Sequence, residues 1–303
     1  SNLYTPNVKL DDSGFDDLAK ASGIELLDAF IYNTFYLGEN EAPLDVRLGR
    51  QVASWGESTF IQNGINSINP VDVSAFRRPG AEIKEGLLPV SMITFAAGVT
   101  DALSIEAFYQ LEWEKTVIDG CGTYFSTADV AATGCNVVTL RATPPFSDQV
   151  NMANGLFITR LADIEPDDSG QYGVAFRYFA EKLAGSEFGV YYMNYHSRIP
   201  YLGGFASANS LIDPSLPVFI PPSAVPFDPL NPQYFAEFPE DIELFGVSFA
   251  TNLAGFAVSG EVSYRPDFPV QINTTEILQG AVAEAPWSTV LPRIRAAGPG
   301  GMA

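Results

Sequence analysis

The stretch "RLGRQVASWGE" holds Arg47, Arg50, Gln51, Trp55 and Glu57, and Arg77 and Arg78 follow it. This is a concentration of cations in a chain with 16 Lys and Arg against 36 Asp and Glu. Further on, "LSIEAFYQLEWEKT" sets Glu106, Gln110, Glu112 and Glu114 on alternate positions, and Arg177 stands on the polar side of a later segment. Guanidinium groups facing carboxylates can do one of two things. They form a charged constriction in a pore, or they form an ion-pair network that fixes an inward-folded loop. Both readings require the charges to be paired, because burying them singly is costly.

Other chemistry is sparse. His196 is the only histidine and sits among Tyr191, Tyr192, Tyr195 and Tyr201. A catalytic base needs a nucleophile and an orienting carboxylate, and no motif supplies them. GxSxG, HExxH, Walker and GxGxxG patterns are absent in any fitting context. The expectation is therefore no enzyme, no cofactor and no metal, with His196 a loop or interfacial residue and the tyrosines an aromatic girdle. Carboxylates gather in "DDSGFDD" (11–17) and "IEPDDSGQ" (164–171). Neither follows the spacing of a calcium-binding EF-hand loop, so both read as solvated acidic loops. Cys121 and Cys135 bracket "CGTYFSTADVAATGC". They lack CxxC spacing and nearby histidines, so a loop-closing disulfide and an oxidising compartment are expected.

The elements that would position these groups are strands. Composition is 47% hydrophobic and 13% aromatic, with 26 Gly and 22 Pro, which suits turns and long loops. A formal charge of −20 argues against nucleic acid as a partner. Period-2 alternation and turn signals place strands at about 24–37, 43–52, 92–99, 104–115, 170–183, 188–198, 241–253 and 256–266. In 104–115, Ile105, Ala107, Tyr109, Leu111 and Trp113 oppose the carboxylates, with Phe108 the exception on the polar side. In 170–183, Tyr172, Val174, Phe176 and Tyr178 oppose Gln171, Gly173, Ala175 and Arg177. The registers of 24–37 and 188–198 stay open.

The connections carry the most information. Those within hairpins are short, whereas 53–91, 116–169, 199–240 and 267–303 are long. Alternate connections of a meander lie at opposite ends, so all the long loops share one end. Long structureless loops are uncommon in a compact soluble domain, but short turns opposite long external loops are the plan of an outer-membrane barrel. Strands of this length also suit a tilted membrane crossing. The expected fold is all-β, a transmembrane antiparallel up-and-down barrel of at least eight strands forming one domain over 1–303. In that setting Ile105, Tyr109, Leu111, Trp113, Tyr172, Phe176 and Tyr178 face lipid, with Trp113 near the outer interface. Residues 53–91 hold "NPVDVSAFRRPG", where a short helix would open after Asn69-Pro70 and stop before Pro79. Residues 214–239 hold eight prolines, which favours extended backbone over the mouth or into the lumen.

The block "PLDVRLGRQVASWGESTFIQNGINSINPVDVSAFRRPGAEIKEGLLPV" (43–90), with "LSIEAFYQLEWEKT", "DSGQYGVAFRYFAEKL", "SEFGVYYMNYHSR", "EDIELFGVSF" and "EVSYRPDFPVQ", resembles the DUF1302 proteins. The resemblance spans most of 24–275 and implies a Gram-negative outer-membrane barrel. It also implies passage of lipid, steroid or hydrocarbon-like molecules, with a DUF1329-type periplasmic partner and an RND-type transporter. Outer-membrane lipids and lipopolysaccharide would surround it, and a homo-oligomer is possible. Family members extend further at both ends, so eight strands are expected to form part of a larger wall. The chain opens without a signal peptide, as a mature chain or a fragment would. The competing expectation is a structural or surface-assembly protein whose loops bind partners or other copies.

Overall fold

The computed structural model describes residues 9–39, 41–57, 64–77, 79–80, 86–139, 148–153, 157–205 and 232–282. Eight strands form its main sheet: β1 (Ala29–Leu37), β2 (Ala42–Gln51), β3 (Val90–Gly98), β4 (Leu103–Gln110), β7 (Tyr172–Ala180), β8 (Ser186–Tyr195), β11 (Ile242–Leu253) and β12 (Phe256–Tyr264). Their order is β1-β2-β3-β4-β7-β8-β11-β12, and every pair is antiparallel. Short turns therefore collect at one end and long connections at the other. Several turns contain residues with positive φ. Ala254 (φ 53°) and Gly255 (φ 87°) close the last hairpin in two residues, which suits the right-handed twist of its strands. Ala184 (φ 55°) and Gly185 (φ 68°) end the longer turn between β7 and β8.

The sheet is open. β1 and β12 are its edges, and the described residues do not close a barrel. Register settles the faces that alternation left open. Ile31, Phe35, Leu48, Phe95, Tyr109, Phe176, Val190, Val247 and Val262 share one face and are all exposed. On the opposite face Met92, Phe108, Ala175, Tyr191, Met193 and Leu244 are buried. The segment between β2 and β3 covers that inner face: Trp55, Ile65 and Ile68 join those residues in one core. Full burial of an Ile or Met side chain contributes about 1.5–3 kcal/mol. Small residues make room for the segment. A Cβ at Gly173 would lie 2.9 Å from Trp55, and one at Gly246 would lie 2.8 Å from Ile65.

Three expectations change here. Residues 116–169 and 199–240 are not only loops. They supply β5 (Val137–Thr139), β6 (Phe157–Arg160), β9 (Tyr201–Phe205) and β10 (Gln233–Glu237), a second sheet in the order β5-β6-β10-β9. β6 and β10 pair in parallel. Helix α1 (Asp148–Ala153) precedes β6, and α2 (Thr274–Val282) packs its Leu278 against the buried Ile158, Leu202 and Tyr234. The helix expected after Asn69-Pro70 is only a 3-10 turn, Ala75–Arg77. The strand expected over 104–115 stops at Gln110. The proline-rich stretch lies outside the described residues except for its end, which includes β10.

Candidate functional site

β4 and β7 bring Glu106 and Arg177 together on the inner face, one register step apart. Arg177 Nε lies 3.1 Å from Glu106 Oε1, and Arg177 Nη1 donates to Glu187 Oε1 at 3.1 Å. The second Glu106 oxygen accepts the Trp55 indole N–H at 2.9 Å. Trp55 then packs on Phe108 (5.0 Å between ring centroids) and Tyr191 (6.0 Å). The one apolar residue on the polar side of β4 is thus the seat of the inward-folded segment.

Side chains fasten the rest of that segment. Glu261 on β12 accepts the backbone N–H groups of Glu57 (2.7 Å) and Ile65 (3.0 Å). Arg265 donates to Gly64 O at 2.8 Å, Ser67 Oγ at 3.1 Å and Tyr195 Oη at 2.8 Å. Asn69 donates to Gln51 O and Leu88 O and accepts from Ala53 N, so it closes the loop on its own base. Gln110 Nε2 donates to Ile68 O at 2.8 Å. Arg198 donates to Gln110 Oε1, to Ile68 O at 3.1 Å and to Glu114 O at 2.9 Å. Burial pushes the Arg198 guanidinium down to about 9, which still leaves it protonated at neutral pH.

The arginines expected to form one cluster are divided. Arg50 meets Glu112 (3.2 Å), Glu114 (2.8 Å) and Glu25 (3.7 Å) where β2 and β4 end. Arg77 pairs with Asp119 in the long connections and stacks over Phe125 at 5.0 Å. Arg47 stays on the inner face of β2, over the Phe30 ring at 5.6 Å. Arg78 lies outside the described residues. Glu57 contributes its backbone N–H, and Gln51 is buried, its amide spanning Met92 O and Thr94 Oγ1. Beside Arg47 a recess of about 280 Å³ is lined by Asp45, Gln51, Thr94, Trp55 and Glu106.

A family model described as a protein of unknown function, DUF1302, matches residues 1–295. The chain belongs to the DUF1302 family. No curated protein matches it. No solved structure matches it either.

Within this DUF1302 chain, Ile105, Tyr109, Tyr172, Phe176 and Tyr178 lie on the outer face by register. Leu111 is exposed just past the end of β4. Trp113 is a correction. It is buried, donates its indole N–H to Ser197 O at 3.2 Å and meets Phe238 edge-on at 4.9 Å. The alternation breaks because the chain leaves the sheet at Gln110, whose side chain turns to Ile68.

His196 is buried at the end of β8. Its Nε2 donates to Ser169 O at 2.8 Å and its Nδ1 accepts from Asp241 N at 3.1 Å, which defines the neutral tautomer and ties two connections together. Cys121 and Cys135 form a disulfide. Among the described residues no group of His, Cys, Asp and Glu is arranged to hold a metal ion. Sequence reasoning did not single out Arg198, Glu261 or Arg265. Glu261 and Arg265 stand on the polar side of 256–265, and that alternation was the available signal.

Proposed function

We propose that this protein forms the wall and inward plug of a Gram-negative outer-membrane β-barrel that conducts or docks hydrophobic small molecules. One observation carries the reading: the sheet is polarised opposite to a soluble one. Its apolar side chains stand exposed across all eight strands, while the Arg177 ion pairs with Glu106 and Glu187 lie on the covered face. A continuous exposed apolar surface of this extent marks contact with protein or lipid, and strands of eight to twelve residues suit a tilted crossing. Lipid leaves an unpaired strand edge unsatisfied. In this setting the edges of β1 and β12 therefore pair, with each other or with strands outside the described sheet. The segment after β2 becomes a plug, and the second sheet with its disulfide stands on the external side. Lipopolysaccharide, a DUF1329-type periplasmic protein and an RND-type transporter are the partners that the family resemblance proposes.

The packed inner face supports a second reading, a docking or surface-assembly protein whose covered lumen conducts nothing. Single-channel recording in planar bilayers separates the two. Cargo-sensitive current supports the conduit, and a silent bilayer with bound partners supports docking. Topology is tested by thiol labelling. Cysteine in place of Tyr124, 93% exposed beside the disulfide, should react on intact cells. Cysteine in place of Asp101, in the turn between β3 and β4, should react only after lysis. Labelling of Asp101→Cys on intact cells, or purification of a detergent-free monomer, sinks the membrane reading.

A further inference from the structure

The inward-folded segment covers the inner face unevenly. Over β3, β4, β7, β8 and β11 it buries Met92, Phe108, Ala175, Tyr191 and Leu244. Over β1 and most of β2 its described residues do not. There the inner face presents Phe30 (40% exposed), Tyr32 (74%) and Tyr36 (70%), with Arg47 directly opposite Tyr32 across the ladder. Phe30 and Tyr32 are adjacent, 6.4 Å between centroids, and the Arg47 guanidinium lies over Phe30. This aromatic strip leads into the recess of about 280 Å³ beside Trp55, a volume near the lower end of small-ligand sites.

The polar groups of the recess are already committed, with one exception. Glu106 is held by Arg177 and Trp55. Asp45 accepts the Thr34 hydroxyl at 2.5 Å. Gln51 spends its amide on Met92 O and Thr94. Arg47 has no carboxylate within ion-pair distance among the described residues, and its guanidinium lies over the Phe30 ring. A guanidinium has five N–H donors and matches a carboxylate in a two-point geometry. Here it stands exposed beside exposed rings, at the mouth of the recess.

We propose that this corner binds the carboxylate of a hydrophobic monoacid, with Arg47 on the head group and Phe30 and Tyr32 along the tail. The inference rests on the conduit reading and narrows its cargo to anionic amphiphiles. Asp45, two residues before Arg47 on the same face, opposes a second negative charge, so a monoacid is preferred over a diacid. Trp55 and Phe108 close the far wall and set the depth to which the head group enters.

The test is calorimetric titration of the full chain in nanodiscs with octanoate, octanol and octanedioate, against empty nanodiscs. Octanoate should bind about tenfold more tightly than octanol, since a two-point charge-assisted pair contributes more than a neutral hydrogen bond. Octanedioate should bind more weakly than octanoate. Arg47→Gln should abolish the preference for acid over alcohol, and Ala96→Phe, on the inner face in the recess wall, should block both ligands. Equal affinity of the unsubstituted chain for octanoate and octanol overturns the proposal without any variant. Unchanged octanoate binding by a folded Arg47→Gln overturns it too. Failure of the chain to enter nanodiscs at all would instead sink the membrane reading.

Discussion

Glu261, on the last strand of the main sheet, accepts the backbone N–H of Ile65, a residue of the segment that follows the second strand. The same carboxylate takes the Glu57 N–H, and a Cβ at Gly56 would stand 2.4 Å from it. The last strand of the sheet is thereby linked to the second through the segment lying between them. Position of the plug is thus a property of the whole sheet and not of β2 and β3 alone.

Glu261→Ala should release residues 52–57 and 64–67 while leaving the hairpin of β11 and β12 intact. Hydrogen bonds to a charged acceptor contribute about 1.5–3 kcal/mol each, so losing both costs several kcal/mol locally. Hydrogen exchange should show amides 57 and 65 losing protection, with the strand ladder unchanged. In the conduit reading the variant also conducts more. Protection of those amides at the level of the unsubstituted protein would contradict the clamp.

Arg198 should be the least replaceable side chain of the plug. It joins β4 through Gln110, the inward-folded segment through Ile68 O and the long connection after β4 through Glu114 O. Arg198→Met leaves three neutral acceptors without this donor in a buried space, at a cost of about 1–3 kcal/mol for each left unsatisfied. Arg198→Lys should rescue little, because a single ammonium cannot span the geometry of the guanidinium fork. Both variants should show a lowered urea midpoint and faster proteolysis after residue 52. A lysine variant as stable as the parent would refute this account.

What could be read in advance follows from the range of each interaction. Alternation at Glu106, Phe108 and Gln110 identified the two faces of β4, and the Phe108 anomaly pointed to an inward loop. Register is local, so it is written locally. The small residues Gly173 and Gly246 mark where Trp55 and Ile65 approach the sheet, a signal that alternation shows only as weak positions. Glu261 and Arg198 act on partners far away in the chain, and no spacing rule reaches them. The second sheet was illegible for a related reason. Its strands run three to five residues, and one of its pairings is parallel, so neither length nor hairpin signals announce it. Trp113 was misplaced because alternation was extended past Gln110, where the backbone leaves the ladder.

The last hairpin can be strengthened. Ala254 adopts φ 53° and is followed by Gly255 at φ 87°. An L residue with a Cβ pays about 1–2 kcal/mol for that left-handed conformation, whereas Asn tolerates it better and Asn-Gly is the preferred pair in this turn. Ala254→Asn should raise stability by up to about 1 kcal/mol, read as a higher urea midpoint. Ala254→Val should lower it, since β-branching worsens the same strain. A decrease for the asparagine variant would mean that the turn adopts a different geometry.

Asp16 offers a pH test of how the amino-terminal segment docks on the disulfide loop. Its backbone N–H donates to Thr133 Oγ1 at 3.0 Å, next to the Cys121–Cys135 bridge. Burial raises the Asp16 carboxyl above its ordinary value of 3.8, and Lys115 and the Thr133 hydroxyl only partly offset that. The sign follows from proton counting. Between 3.8 and the raised value the folded state binds more protons than the unfolded one, so docking strengthens as pH falls through that window. At neutral pH the ionised carboxylate is a net burden. Asp16→Asn keeps the backbone donor and removes the charge, so it should stabilise docking at pH 7 and make no difference at pH 3. Hydrogen exchange of residues 13–19 as a function of pH measures this directly. Weaker protection of the asparagine variant at pH 7 would show that attraction to Lys115 outweighs burial.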